Sequence, residues 1–456
     1  MKKLLIILLV LFSANTFSQE LKRRASLGIR MQNMNDSLQK ITGYDQNNGA
    51  YIDLVLPNST VDKAGMKPGA VLLQINDQKI LNIRDIGPAA GNLRDQDPVK
   101  LTYFQNGKTI NKTVKAIGRP EEEISEAVML YDVVELNGLR LRSILATPKG
   151  IENPPVVYFI QGYTCSSTEF SMVPDISTMQ LYSDWIAAGY AVYRIEKAGV
   201  GDSEGDKHCM EMNFTEELEI FRQGYKALQQ YPQINKERIF LFGHSMGGVV
   251  APLLAKEFQP FGVMTYGTLI NSWFEYMQEL TRVQGEMFHT PYAEIEGDIR
   301  RVTPFWYEYF ILQKSNEELL SNEKIYEMLE EEGTLQDFKN GIFMQRHYTF
   351  WQDLQQVSLV NTWLEVKSHV LAIYGEYDIQ ALNSNHVQTI ANIVNTNNPE
   401  KGSWAVIEKA DHGFVTFNSM DENVQTLNSG NYFQALRTKY NPNIAKESIK
   451  WMDGLK

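Results

Sequence analysis

Arg238-Ile239-Phe240-Leu241-Phe242-Gly243-His244-Ser245-Met246-Gly247-Gly248-Val249-Val250 is the stretch whose reading decides the fold. Its first residues have the apolar, β-branched and aromatic content of a short buried strand. Val249 to Phe258 follows with a helical pattern, so Gly-x-Ser-x-Gly-Gly lies between a strand and a helix. A turn this tight crowds the backbone on both sides of the serine, and glycine alone tolerates that crowding. It lifts the Ser245 hydroxyl above the strand ends. It also places the N–H of Met246 at a helix N-terminus, where developing negative charge is favoured. The pentapeptide carries little weight by itself; its setting makes Ser245 a candidate nucleophile.

Outward from this turn, short apolar runs recur at Val156–Ile160, Ala191–Ile195, Gly262–Tyr266 and Val370–Tyr374. Helical patterns lie between several of them, which is the grammar of a parallel sheet covered on both faces. Residues 271–365 interrupt it with helical runs richer in aromatic residues than the chain as a whole, which is 11% aromatic. An insertion after the sixth strand is expected to lie over the sheet's C-terminal edge as a lid. Most of its aromatic residues are expected to form the lid's own core, because helices must bury a face.

A serine hydroxyl needs a base, and the base needs an orienting acid. Tyr374-Gly375-Glu376-Tyr377-Asp378 closes one strand, and Lys409-Ala410-Asp411-His412-Gly413-Phe414 follows the next. Together with the glycine-flanked serine, residues 127–456 resemble the α/β-hydrolases of the esterase, lipase and serine aminopeptidase group. Their GxxD and xHxF segments match here. The resemblance implies Ser245 as nucleophile, Asp378 as acid and His412 as base. Glu376 and Asp411 compete for the acid's place, and the offset from Gly375 favours Asp378.

The same resemblance implies two oxyanion donors, the backbone N–H of Met246 and of Tyr163. Ile160-Gln161-Gly162-Tyr163 stands where the family often carries His-Gly-x. Gln161 departs from that pattern, but backbone donors survive the change. Glu196-Lys197-Ala198-Gly199-Val200-Gly201-Asp202-Ser203-Glu204-Gly205 is similar to the family's DxRGxGxSxG loop and reads as pocket wall. Its glycines are not a dinucleotide site, since no ribose-binding acid stands in the right context. Cys165 and Cys209 fall on loops after the third and fourth strands, adjacent in this sheet, so a disulfide is expected. His208, His289, His347, His369 and His386 match no motif, and no H-E-x-x-H spacing occurs. No metal and no cofactor are expected.

Residues 24–118 read differently, as short strands punctuated by turns such as Asn106-Gly107. Asn58-Ser59-Thr60-Val61-Asp62-Lys63-Ala64-Gly65-Met66-Lys67-Pro68-Gly69-Ala70-Val71-Leu72-Leu73-Gln74-Ile75-Asn76 resembles the bacterial PDZ signature xSxAxxAGxxxGDxIxxIN, with Ala70 where many such domains carry Asp. Such modules take a peptide C-terminus as an added strand, with its carboxylate held by loop N–H groups. Leu27-Gly28-Ile29 matches that loop. A module that only positions its neighbour is the competing expectation. Gly118-Arg119-Pro120 and Glu121-Glu122-Glu123 break the pattern, which makes 119–126 a linker and 127–456 the second domain.

The fold expected is therefore an α/β-hydrolase domain, a mostly parallel sheet with a helical lid, behind a small β-rich PDZ-like domain. Two domains suit 456 residues, and 43% hydrophobic with 21% charged residues is a globular balance. The formal net charge of -12 argues against nucleic acid and against an anionic membrane surface. Lys2, Lys3 and the apolar run Leu4–Phe12 read as an export signal over 1–18, too short to span a bilayer stably. An exported protein, periplasmic or extracellular, is expected. Its partner is a small ester or peptide substrate, together with a peptide C-terminus at the PDZ module. The function expected is hydrolysis of a carboxylic ester or amide through an acyl-enzyme. A peptidase, an acyltransferase using the same residues and a non-catalytic peptide-binding scaffold are the alternatives.

Overall fold

The computed structural model describes residues 20–455; the expected export signal lies outside them. The N-terminal module is an antiparallel sheet with Ile29–Asn33, Ala50–Val55, Val71–Ile75, Pro98–Gln105 and Lys108–Lys115 side by side in that order. Its core alternates along the strands: Ala50, Ile52, Leu72, Ile75, Val99 and Leu101 are buried, as one apolar sheet face requires. The short helix Thr60–Lys63 begins at Ser59, whose side chain accepts from the Asp62 N–H. Among the described residues, Ile29–Asn33 has one strand neighbour and an open edge on its other side.

The linker is not a free tether. Ala25–Ser26 pairs antiparallel with Ile117–Gly118, which closes the module on itself. In the Glu121-Glu122-Glu123 run, Glu122 is buried and paired with Arg194, itself fully buried in the second sheet. Burial pushes the Arg194 guanidinium down to about 9. The physical reason for the acid is plain: a charged residue in a central strand needs an opposite charge within reach.

Charged contacts join the module to its neighbour. Arg23 reaches Asp202 at 2.5 Å and Glu169 at 3.0 Å, and the Arg24 N–H donates to Asp202 at 2.7 Å. Arg94 donates to the Ser203 carbonyl at 3.1 Å, and buried Arg142 also pairs with Asp202. The loop 199–203 is thus the dock on which the N-terminal module sits.

The second domain is built on eight strands, β1 (Ala127–Leu136), β2 (Leu139–Pro148), β3 (Val156–Ile160), β4 (Ala191–Ile195), β5 (Ile239–His244), β6 (Gly262–Tyr266), β7 (His369–Gly375) and β8 (Gly402–Ile407). Their spatial order is β8-β7-β6-β5-β3-β4-β2-β1. β1 and β2 are antiparallel to their neighbours, and the remainder run parallel. Strands β3 to β6 are buried along nearly their whole length, hence their continuous apolar sequences. Helices α1 (Ser177–Ala187) and α6 (Asn443–Gly454) pack on one face. Helices α2 (Phe214–Leu228), α3 (Gly247–Phe258) and α5 (Asn385–Asn397) cover the other, where the lid joins their core.

The lid runs between β6 and β7 and begins with α4 (Trp273–Met287). Phe305, Tyr309, Phe338 and Phe343 form its own aromatic core, with ring centroids 5.4–6.3 Å apart. The last helix of the expected insertion, Leu359–Glu365, instead packs against α3 and α5 of the main domain. No helix among the described residues is long and apolar enough to cross a membrane.

The buried pair at the linker gives a stability prediction. Glu122→Ala leaves Arg194 charged and unpaired, and is expected to cost about 3–5 kcal/mol. Urea unfolding of the two proteins measures it, and an unchanged midpoint would contradict the pairing.

Candidate active site

β5 and α3 meet in one turn, and the backbone there is strained in the way the sequence demands. Ser245 has φ +56°, a left-handed conformation uncommon for a residue with a side chain. A Cβ at Gly243 would lie 2.3 Å from the Gly247 carbonyl oxygen, and one at Gly247 2.0 Å from that of Ile160. No other residue type fits either place. The Ser245 N–H donates to Tyr266 O at 2.8 Å, which ties the turn to β6. Met246 precedes the first turn of α3, so its N–H lies at that helix's positive end.

The loops after β7 and β8 bring two more groups to this turn. His412 Nδ1 lies 2.8 Å from Asp378 Oδ2. The other oxygen of Asp378 accepts from the N–H groups of Gln380 at 2.8 Å and Ala381 at 2.9 Å. Burial raises the Asp378 carboxyl, but His412 and these donors outweigh it and hold the group below its ordinary value. Burial lowers His412, and Asp378 with Asp411 more than reverses that, so the imidazole stays protonated to higher pH than usual. Gly267, at φ +65°, leaves room for the pair: a Cβ there would come within 2.7 Å of Asp378 and 2.8 Å of His412.

The competing carboxylates are occupied elsewhere. Asp411 accepts from the N–H groups of Gly413 and Val415 and from the Tyr432 hydroxyl, holding the His412 loop from below. Its burial pushes it up to about 6. Glu376 is exposed and accepts from the Lys409 N–H. His244 bonds the His412 carbonyl at 2.9 Å, and burial holds it down at about 3, hence neutral.

The loop after β3 faces the serine from the opposite side. A Cβ on Gly162 would stand 3.1 Å from Ser245 Cβ. Behind this loop lies a buried charge cluster. Lys197 Nζ donates to the Gly162 carbonyl at 2.7 Å and pairs with Glu217 at 2.9 Å. Arg346, from the lid, donates to the Tyr163 carbonyl at 2.7 Å and pairs with Glu217 at 2.6 Å. C=O and N–H point in opposite directions across a trans peptide. Drawing the Gly162 carbonyl back onto Lys197 therefore turns the Tyr163 N–H the other way. Burial lowers the Lys197 ammonium to about 8.

Two cavities meet at Ser245 and His412. One, of about 380 Å³, runs under the lid past Val249, Leu269, Trp273, Leu280 and Phe288. The other, of about 260 Å³, is walled by Gln161, Thr164, Ser167, Thr168 and Thr178. Helix α4 borders the first and is pinned to the Asp378 loop: Tyr276 donates to the Gln380 carbonyl and Gln284 to that of Ile379. In the N-terminal module, Gly28 has φ +71° and its N–H donates to Ser26 Oγ at 3.1 Å, between Leu27 and the edge strand that begins at Ile29.

Comparison with known proteins agrees with this architecture. Residues 176–318 match the family model of serine aminopeptidase, S33, and residues 17–103 that of the PDZ domain. The chain thus joins a PDZ domain to a domain of α/β-hydrolase fold. It is 36% identical over 101 residues to a "probable periplasmic serine endoprotease DegP-like" of Marinomonas sp. (strain MWYL1), covering 22% of this chain and 21% of that one. It is 32% identical over 89 residues to the periplasmic serine endoprotease DegP of Escherichia coli (strain K12), covering 20% and 19%. The chain spans about a fifth of the length of these relatives. Solved structures similar to it include a Pyrococcus furiosus esterase (TM-score 0.40, 16% identity, 68% of this chain and 91% of that one). A Mycobacterium smegmatis proline iminopeptidase has TM-score 0.40, 15% identity and coverage of 71% and 99%.

Sequence reading did not find Glu217 and Arg346, and placed Lys197 only in a pocket wall. Each reads alone as one charge on a helix or in a loop, and nothing local marks it as buried. Cys165 and Cys209 are joined, with Cα atoms 5.9 Å apart, and cross-link the loop of Tyr163 to the turn Cys209–Glu211. His208 lies beside them, but sulfurs bonded to each other offer no thiolate to a metal. Replacing both cysteines by serine is expected to cost about 3–4 kcal/mol by the loop-entropy relation, measured by urea unfolding. Alkylation of the unreduced protein on two cysteines, read by intact mass, would contradict the cross-link.

Proposed function

We propose that this chain hydrolyses a carboxylic ester or amide through an acyl-enzyme on Ser245, with His412 as base and Asp378 as its orienting acid. The observation that carries the reading is the strained turn of Ser245 bordering the same cavities as an imidazole held at 2.8 Å by a buried, multiply bonded carboxylate. In the first step His412 takes the hydroxyl proton as Ser245 Oγ bonds the carbonyl carbon. The carbonyl electrons pass to oxygen, which accepts from the N–H groups of Met246 and Tyr163. The C–O or C–N bond then breaks, and the leaving group departs with the proton from His412. Water repeats the sequence on the acyl-enzyme, releasing the acid and restoring the serine.

The chain acts outside the cytoplasm in this reading. Support comes from the basic-apolar start of the sequence, the disulfide, and relatives named as periplasmic. The PDZ module takes a peptide C-terminus on the open edge of Ile29–Asn33, with its carboxylate at Leu27-Gly28-Ile29. A peptidase is the second reading, favoured by the matched aminopeptidase family and by that module.

A fluorophosphonate probe tests the nucleophile. The wild type is expected to label, and Ser245→Ala to lose labelling while keeping its unfolding midpoint; equal labelling of both would refute the assignment. The pH profile tests the base. His412 serves only when neutral and its value is raised, so kcat/KM falls as pH drops through a midpoint above that of an ordinary histidine. Asp378→Asn lowers the rate by roughly 10⁴-fold, by analogy with the serine-protease triad.

A further inference from the structure

Tyr163, whose N–H is the second oxyanion donor in the reading above, is held by the lid at both ends. Its carbonyl accepts from Arg346 Nη1 at 2.7 Å, and its ring packs on Trp351 with centroids 5.4 Å apart. Trp351 is fully buried, donates its indole N–H to the Phe343 carbonyl at 2.8 Å and stacks on Trp273 of α4. Arg346 and Trp351 come from one stretch of the lid. A hairpin pairs Ile342–Phe343 with Arg346–His347, and the helix Tyr348–Gln355 follows it directly. A lid that only excluded water would need apolar contacts alone. This stretch instead places a buried guanidinium on a backbone carbonyl.

The hairpin is shaped for that contact. Its two turn residues, Met344 and Gln345, both have positive φ, +47° and +63°. A two-residue turn of this kind ordinarily takes Asn-Gly, and other residues persist there only where the surroundings over-determine the backbone. The turn carries Met344 into the wall of the cavity under the lid and leaves Arg346 fully buried, its guanidinium 3.7 Å from the Phe350 ring centroid. There Arg346 pairs with Glu217 at 2.6 Å, and Glu217 pairs with Lys197 at 2.9 Å. Lys197 holds the preceding carbonyl, that of Gly162. One carboxylate of α2 thus joins two cations, and these grip successive carbonyls of the β3 loop. The peptide that carries the Tyr163 N–H is fixed by Lys197 and the next peptide by Arg346, which leaves the N–H little freedom to turn aside.

Resting on the acyl-enzyme reading above, we propose that Arg346 is a positioning residue for the oxyanion: the lid stretch 342–351 completes the oxyanion hole by fixing Tyr163, and full catalysis requires it seated. Removing the guanidinium frees one of the two peptides beside Tyr163, while Lys197 and Glu217 remain paired with each other. No unpaired buried charge is left, so the fold is expected to persist. The defect then falls on the transition state, because a developing oxyanion depends on aimed donors far more than a neutral carbonyl does.

Arg346→Met tests it with p-nitrophenyl hexanoate and a pair of ketones. Hexanoyl trifluoromethyl ketone adds to the serine: Ser245 Oγ bonds its carbonyl carbon, the hydroxyl proton passes to His412, and the carbonyl electrons go to an oxygen seated in the hole. The matching methyl ketone binds without adding. The variant should lose about 100-fold in kcat, the scale of one lost oxyanion donor, with KM within about threefold. Trifluoromethyl ketone affinity should fall by a like factor and methyl ketone affinity stay unchanged, a split that general loosening of the fold would not give. The triple variant Lys197→Met, Glu217→Met, Arg346→Met replaces the buried charges by apolar side chains and should fold with the same split. It decides the matter if the single variant does not fold. Unfolding of both variants, wild-type kcat and trifluoromethyl ketone affinity in a folded one, or equal loss for the two ketones overturns the positioning role. Fluorophosphonate labelling runs alongside: a wild type unlabelled at Ser245 overturns the acyl-enzyme reading, and this inference with it.

Discussion

The arrangement around Ser245 depends on a backbone that cannot relax. Ser245 occupies a left-handed conformation because β5 must become α3 within one turn, and carbonyl oxygens of Gly247 and Ile160 close the space on both sides. A residue so placed costs of order 1–3 kcal/mol and persists only where its surroundings over-determine it. Here β6 supplies one restraint through the Tyr266 carbonyl, and close packing on the β3 loop supplies another. The hydroxyl then needs no search for its position, because the sheet has already set it.

The same economy appears in the groups that face the serine. The imidazole of His412 is held at one nitrogen by Asp378, while its loop is held from below by Asp411 and Tyr266. The β3 loop is gripped by Lys197 and Arg346 at two successive carbonyls, by a disulfide two residues past Tyr163, and by Glu196 at Ser167 and Thr168. Lys197, Glu217 and Arg346 are all buried, so each charge depends on the others for compensation. Arg346 belongs to the lid, which therefore is fastened to the β3 loop as well as to the Asp378 loop. The loop 199–203, which begins two residues past Lys197, is also the dock for the N-terminal module, so one stretch of chain serves both domains.

What was legible in the sequence is what local pattern encodes. The strand–turn–helix around Ser245, the parallel-sheet grammar and the PDZ-like stretch at Asn58–Asn76 are written in consecutive residues, and glycine placement made the turn readable. Glu122 read as one acid in a linker run of three, because its partner Arg194 lies far along the chain in a strand that reads as apolar. Arg346 and Glu217 were hidden for the same reason: a charge says nothing of burial until its partner is found. Leu359–Glu365 shares the lid's composition, and only packing shows that it lies on α3 and α5. The departure at Gln161 was visible as a departure, but its place in the wall of a cavity at Ser245 needed three dimensions.

The central claim is that turnover passes through an ester on Ser245 itself. Rapid acid quench during hydrolysis of an activated hexanoyl ester, followed by peptide mapping by mass, tests this directly. The account predicts a hexanoyl adduct on the peptide containing Ser245, formed before steady state and absent from Ser245→Ala. Turnover with no adduct, or an adduct confined to another residue, would contradict it.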